Sequence, residues 1–281
     1  MGDQCDGESE QKGWMMKRTS TGRSSAPHHA SPITHHSRCE IRIGTSGWHY
    51  KHWLGPFYPE DLRPKDMLSW YMKHFDTVEL NNSFYHLPAR ETFEAWRRGT
   101  PSSFCFAVKG SRYITHRKKL SDPVPALARF MEPVESLGEK LGPILFQLPP
   151  RWSCNVPRLN AFLRALPPAH RYTFEFRDPS WHHLAVYRAL GRHNAAFCLY
   201  ELDGFEAPYQ LTADFVYVRL HGPGRKYQGD YSSKQLRDWA HRIAQWRKKV
   251  KAIYVYFDND QAGYAAKNAA ELKKMLTDHC I

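Results

Sequence analysis

The sequence lacks the signals that define several specialised classes of protein. Its six cysteines form no C-x-x-C pair, which argues against a zinc ribbon or a thioredoxin-type redox motif. No apolar run approaches the roughly 18 residues that a membrane span needs, so we expect no membrane association. The first forty residues show no apolar segment typical of a secretory signal. Together these features favour a cytoplasmic protein with reduced thiols.

A dinucleotide-binding loop is also missing, because no G-x-G-x-x-G follows a strand-like run. Residues 1–39 have no apolar periodicity and are rich in Ser, Thr, Gly, Pro and His, which predicts a disordered tail before a domain at residues 40–281.

The formal net charge is +12. Since acidic and basic residues balance over residues 1–40, the excess positive charge belongs to the folded domain and favours an anionic partner.

Short β-rich runs alternate with helical patterns after residue 40. The runs lie at residues 41–46, 77–81, 104–110, 142–149, 172–178, 195–201, 215–222 and 253–259. Helical patterns lie at residues 66–75, 91–98, 124–140, 156–165, 182–193, 233–249 and 262–276. Eight such units in about 240 residues predict an α/β fold, a single closed (β/α)8 TIM barrel, more readily than an open sheet.

The alternation of side chains along each strand predicts which residues point inside the barrel. In the run 77–81, the apolar Val78 and Leu80 should face the helices, which leaves Glu79 inside. The same rule places polar residues inside near the carboxyl ends of six strands: Glu79, Asn81, Lys109, Gln147, Glu175, Arg177, Arg219, His221 and Asp258. Barrel enzymes hold their active sites at this end, so we expect a polar, net-basic site there. A structural ion-pair network, such as Lys109 with Glu79, is the alternative.

Seven motifs occur in the order typical of one known family. They are GTSGWHYKHWLGPFYP (44–59), TVELNNSFYHLP (77–88), FAVKGSRYITH (106–116), GPILFQLPP (142–150), FEFRDPSW (174–181), YVRLHG (217–222) and YFDND (256–260). They closely resemble the YecE-like family, domain of unknown function 72. The resemblance implies a TIM-barrel fold related to endonuclease IV-like and xylose isomerase-like barrels, and it implies no established activity. Asp258 stands where the family usually has asparagine.

The inward residues suggest acid/base chemistry. Glu79 and Glu175 are candidate proton-exchanging carboxylates, while Lys109 and His221 could stabilise developing charge. Candidate substrate-binding residues are Tyr50, Asn81, Tyr85, Gln147, Arg177, Arg219, Arg225 and Asp258. Because three cationic side chains share the interior and would repel a divalent ion, we predict no metal and no other cofactor.

Three functions remain open at this point. The first is a metal-independent isomerase, lyase or hydrolase that acts on a small phosphorylated or carboxylated substrate. The second is a nucleic-acid-binding or endonuclease IV-like protein, which would use the basic loops at residues 109–119 and 221–231 together with rim aromatics. The third is a barrel that binds a ligand without turnover. The sequence leaves protein partners undetermined.

Overall fold

Parallel strands alternate with helices through residues 39–278, the part of the chain that the computed structural model describes. These residues belong to one compact unit. The predicted tail at residues 1–39 lies outside the described residues, apart from Cys39.

The strands and helices occur in nearly the predicted order. The strands are β1 (Glu40–Ser46), β2 (Thr77–Leu80), β3 (Cys105–Lys109), β4 (Leu141–Gln147), β5 (Tyr172–Glu175), β6 (Ala196–Phe197), β7 (Leu199–Leu202), β8 (Phe205–Glu206), β9 (Phe215–Leu220) and β10 (Ala252–Phe257). The helices are α1 (Met67–Tyr71), α2 (Asn82–Tyr85), α3 (Arg90–Arg98), α4 (Pro123–Val134), α5 (Val156–Ala165), α6 (Leu184–Arg192), α7 (Ser233–Trp246) and α8 (Tyr264–Asp278).

All ten strands belong to one curled sheet. Its hydrogen-bonded order is β6-β5-β4-β3-β2-β1-β10-β9-β7-β8, and every pair is parallel except the antiparallel pair β7–β8. Within residues 39–278 this ladder has two ends, at β6 and β8. The structure therefore shows a mixed α/β fold with a curled, half-barrel sheet, and the ladder does not confirm the complete closed barrel that the sequence predicts.

Apolar residues on alternate strand positions join the sheet to its helices, as the alternation predicts. Phe146 on β4 illustrates this packing: its ring lies 5.0 Å from Phe162 on α5 and 5.5 Å from Phe174 on β5. Both Phe146 and Phe174 are fully buried. Because one face of the strands is committed to this apolar layer, the polar positions are left to the inner face.

Local conformation differs from the prediction in three places. The helix expected over residues 124–140 ends at Val134, and a 3-10 segment with a left-handed Gly138 (φ 55°) follows. The helix expected over residues 66–75 is α1, which ends at Tyr71. The run 195–201 is interrupted at Cys198, and a hairpin turn with positive φ at Asp203 and Gly204 then adds β8.

Candidate functional site

Inward side chains from strands on both halves of the sheet meet in one buried group, here called the central cluster. Its members are Glu79 on β2, Glu175 on β5, Arg177 after β5, Arg219 on β9, His221 after β9 and Asp258 after β10. Glu79, Glu175, Arg219 and His221 have no exposed surface. The structure therefore brings together six of the residues that strand alternation singled out.

Arg219 connects the carboxylates of the central cluster. Its Nη2 lies 2.8 Å from Glu79 Oε1, and its Nε lies 3.0 Å from Glu79 Oε2. Its Nη1 donates to Glu175 Oε2 at 2.8 Å, and its Nη2 also donates to Asp258 Oδ2 at 3.0 Å. A planar guanidinium can bridge several carboxylates in this way because its N–H donors have a fixed fork geometry.

Two hydroxyl groups complete the environment of Glu79. The Ser46 hydroxyl on β1 donates to Glu79 Oε1, and the Tyr217 hydroxyl on β9 donates to Oε2 at 2.6 Å. Ser46 pairs directly with Glu79 in the β1–β2 register. Neither residue was among the candidates from the sequence. Strand alternation puts Tyr217 on the same inward face as Arg219, whereas the small residues at 44–46 do not show from the sequence which face of that strand is inward.

Glu175 is held as a carboxylate by two guanidiniums. Burial alone would raise the pKa of Glu175, but Arg177 and Arg219 outweigh this effect and hold its pKa well below the usual range. Arg177 Nε hydrogen-bonds Glu175 Oε1, and the Arg177 guanidinium also lies 5.1 Å from the Tyr200 ring centroid. Glu175 is therefore a fixed negative charge at neutral pH.

His221 has both ring nitrogens engaged. Its Nε2 lies 3.1 Å from Arg177 Nη2 and 3.3 Å from Arg219 Nη1, and both of these groups can only donate. Nε2 is therefore the acceptor, and Nδ1 carries the proton that it donates to Asp258 Oδ2 at 2.8 Å. Burial would raise the pKa of Asp258, but Arg219 and this hydrogen bond lower it. His221 thus fixes two guanidiniums and one carboxylate.

Lys109 on β3 lies at the edge of the central cluster without an ion pair. The residue is 9% exposed, and its ammonium lies 4.5 Å from the Phe84 ring centroid. No carboxylate of residues 39–278 forms an ion pair with it, so the pair with Glu79 that the sequence offered as an alternative is not formed. Burial, reinforced by the nearby Arg219, lowers the pKa of Lys109 to about 8, although Glu175, Glu79 and Asp258 act in the opposite direction.

The buried site is electrically balanced, not net basic as the sequence led us to expect. The three carboxylates of the central cluster face two guanidiniums and the ammonium of Lys109. Uncompensated charges cost several kcal/mol each when they are buried, so balance is the physically reasonable result.

The remaining candidate residues divide into near and distant ones. Asn81 adjoins the central cluster, with its Nδ2 2.6 Å from Ser46 Oγ, and the Tyr50 hydroxyl donates to Ser46 O at 2.5 Å. Gln147 lies beside Glu175 in the strand register, although its amide hydrogen-bonds Leu148 O at 3.4 Å. Two other candidates, Tyr85 and Arg225, are exposed and form no ion pair or hydrogen bond to the cluster within the described range.

Among residues 39–278, no group of three or more His, Cys, Asp and Glu side chains is placed to hold a metal ion. In the same part of the chain, no helix has the length and apolar character needed to cross a membrane.

Comparisons with known proteins agree on one family. The family model described as "Protein of unknown function DUF72" matches residues 42–280. The UPF0759 protein YunF of Bacillus subtilis (strain 168) is 26% identical over 272 residues, covering 84% of this chain and 94% of YunF. The UPF0759 protein YecE of Escherichia coli (strain K12) is 30% identical over 144 residues, covering half of each chain.

Solved structures give the same result. A DUF72 family protein from Thermotoga maritima superposes with a TM-score of 0.78 at 31% identity, covering 85% of this chain and 99% of that one. A DUF72 family protein from Enterococcus faecalis, at 19% identity and a TM-score of 0.70, covers 84% and 95% and supports the fold alone. The resemblance that the seven motifs indicated is confirmed, and the chain belongs to the DUF72, or YecE-like, family.

Proposed function

We propose that this chain is an enzyme that performs metal-independent acid/base chemistry on a small phosphorylated or carboxylated substrate. The reaction would take place where the carboxyl ends of the strands meet, at the mouth of a closed (β/α)8 barrel. The observation that carries the proposal is Lys109, a buried ammonium with no ion-pair partner among residues 39–278.

The end strands of the sheet favour barrel closure. β6 pairs with β5 and β7 pairs with β9, and only Cys198 separates β6 from β7 along the chain. One continuous segment therefore reaches both ends of the parallel ladder. The Cys198 amide donates to Phe174 O on β5 at 2.8 Å, and the His221 amide donates to Glu201 O on β7 at 3.0 Å. Hydrogen bonds on both sides of this segment are what a closed barrel requires.

An unpaired buried ammonium is a strong reason to expect an anion. Lys109 interacts with the carboxylates of the central cluster only at a distance, so a ligand anion in direct contact with its ammonium would stabilise the buried charge further. The two guanidiniums cannot serve in the same way, because Arg177 and Arg219 already pair with carboxylates of the central cluster. Lys109 is therefore the cation best placed to accept the phosphate or carboxylate of a substrate.

The same residue suits proton transfer. With a pKa of about 8 in the free protein, Lys109 is mainly an ammonium at neutral pH, so it can act as a general acid that donates its proton to the bound substrate. In this proposal, Glu79 and Glu175 hold the guanidiniums in place, which departs from the proton-exchanging roles that the sequence suggested for them.

Because hydrogen bonds from Arg219 already engage the three carboxylates, these carboxylates are poorly available as metal ligands.

A nucleic-acid partner is the second candidate, and a specific observation favours it. The Tyr85 and Tyr113 side chains are 65% and 42% exposed, and the basic residues Arg112 and Arg117 near Tyr113 are exposed as well. Exposed aromatic rings among cations can stack on the bases of a single strand. This surface consists of side chains outside the central cluster, so the two candidates are separable by substitution.

A ligand screen followed by an exchange assay tests the leading proposal. Small carboxylates and phosphates are screened by thermal shift against the wild type, Lys109→Met and Lys119→Met. Lys119 is the control because it is an exposed lysine in the basic loop at residues 109–119. We expect ligands that stabilise the wild type and Lys119→Met but not Lys109→Met. The best ligands are then incubated with each protein in D2O, and NMR follows exchange of their carbon-bound protons. If every ligand stabilises Lys109→Met as well as the wild type, the proposal fails.

A further inference from the structure

A cavity of about 550 Å³ opens where β1 and β2 end, between the segment after β1 and helices α1 and α3. Its apolar wall includes Trp48, Leu68, Leu80 and Trp96. The two indole rings lie 5.4 Å apart and almost perpendicular, at 86°. A cavity of this volume with an apolar, aromatic wall is typical of a site for a small molecule.

The cavity is separate from the central cluster. Leu80 lines the cavity and Glu79 belongs to the cluster, and these two residues are neighbours on β2 whose side chains point to opposite faces of the sheet. Within residues 39–278, neither Lys109 nor any member of the central cluster lines the cavity. A ligand in this cavity would therefore occupy a second site.

The polar side chains at the cavity offer hydrogen-bond donors. Lys65 lines it, is exposed, and has no ion pair or hydrogen bond among the residues that the structure describes. Asn82 also lines it, and because its Oδ1 accepts from the Ser83 amide at 2.9 Å, its NH2 group remains available to donate. No aspartate or glutamate from residues 39–278 lines the cavity. The charge at this site therefore suits an anion.

The apolar wall favours an aromatic ring as the group that carries the anion. Two perpendicular indoles, Trp48 and Trp96, offer a third ring both stacked and edge-to-face contacts. A carboxylate accepts hydrogen bonds at both of its oxygens, so the ammonium of Lys65 can pair with it while the Asn82 amide supplies a further donor in the same cavity.

We propose that the cavity binds an aromatic carboxylate, with its ring against Trp48 and Trp96 and its carboxylate paired with Lys65. The inference does not rest on the proposed function, because this ligand meets neither Lys109 nor the central cluster. It gives the protein a second small-molecule site, on the helix side of β2.

Two probes that differ only in charge test the pairing with Lys65 by isothermal titration calorimetry. 2-Naphthylacetate supplies the ring and the carboxylate, and 2-(2-naphthyl)ethanol supplies the same ring with a neutral hydroxyl. We expect the acid to bind about threefold more tightly than the alcohol, the size of effect that a partly exposed ion pair produces. This advantage should disappear in Lys65→Met and persist in Lys51→Met, where Lys51 is an exposed lysine that does not line the cavity.

Two tryptophan substitutions test the location of the ring. Leu68→Trp fills the cavity and should abolish binding of 2-naphthylacetate, whereas Leu184→Trp, at a 58% exposed position on α6, should leave it unchanged. Circular dichroism checks that each variant is folded. If Leu68→Trp does not fold, the comparison of Lys65→Met with Lys51→Met decides, because both positions are exposed.

Three results would overturn the inference. They are equal binding of the acid and the alcohol by the wild type, an undiminished advantage of the acid in Lys65→Met, and wild-type binding by a folded Leu68→Trp protein. Lys109→Met should bind 2-naphthylacetate as the wild type does. Loss of binding in that variant would place the acid at the proposed active site and would also contradict a separate site.

Discussion

Arg219 and Glu79 form a two-point ion pair on the inner face of the curled sheet, with N–O distances of 2.8 and 3.0 Å and no exposed surface on either residue. Breaking such a pair leaves a buried charge uncompensated, at a cost of about 3–5 kcal/mol. The buried charges of this site therefore have opposite effects on stability, depending on whether they are paired.

Glu79→Gln should lower the free energy of unfolding by about 3 kcal/mol, because the Arg219 guanidinium keeps its charge and loses the carboxylate that it contacts at two points. Urea denaturation measures this change. Glu94→Gln is the control: Glu94 pairs with Arg90 on the surface of α3, and exposed pairs contribute little. A Glu79→Gln protein as stable as the Glu94→Gln protein would contradict the account of the central cluster.

Lys109→Met should instead increase stability at pH 7. The pKa of Lys109 is about 8 in the folded protein, below its ordinary value of 10.5, so the unfolded chain binds this proton more tightly. The difference corresponds to about 3 kcal/mol of destabilisation below pH 8, and it disappears as the pH rises from 8 to 10.5.

Unfolding measured from pH 7 to 10.5 tests both the size and the sign of this effect. The stability advantage of Lys109→Met over the wild type should be greatest at pH 7 and should vanish near pH 10.5. Lys119→Met should show no such trend. An advantage that grows with pH, or a Lys109→Met protein that is less stable than the wild type at pH 7, would mean that Lys109 is paired in the folded state.

Salt dependence separates the two candidate functions. Inorganic phosphate bound at one buried lysine should lose no more than about threefold in affinity between 50 and 200 mM salt, whereas several phosphate contacts on a nucleic acid lose about a thousandfold or more. Tyr85→Ala should leave phosphate binding unchanged. A single-stranded oligonucleotide whose binding falls steeply with salt and is weakened by Tyr85→Ala would favour the nucleic-acid candidate instead.

Much of the fold was predictable because strands and helices carry strong local patterns. The alternation of apolar residues, as in Val78 and Leu80, identified the strands and, for six of them, the inner faces. The hairpin at β8 was missed although its sequence signal was present, since Asp203-Gly204 is a typical two-residue turn. The closed barrel that the sequence predicts is not confirmed by the strand ladder, because closure depends on hydrogen bonds between the segment around Cys198 and two distant strands, which local patterns do not specify.

The candidate site was predictable in its membership but not in its pairing. Alternation places Glu79, Lys109 and Arg219 on the same face, yet it cannot say which cation pairs with which carboxylate. That choice depends on side-chain geometry, and the fork of Arg219 reaches two glutamates at once while Lys109 remains outside. Ser46 could not be assigned either, because β1 has small residues on both faces near its end.

The most direct test is the pKa of Lys109 itself, measured with and without an anion. Side-chain ¹⁵N NMR of lysine-labelled protein gives this value, with the resonance assigned by its absence from Lys109→Met. We predict a pKa of about 8 in the free protein and a clear increase when inorganic phosphate is added, because the bound anion stabilises the ammonium. A pKa near the ordinary 10.5 that does not respond to phosphate would contradict the claim that Lys109 is a buried, unpaired cation that binds the substrate's anionic group.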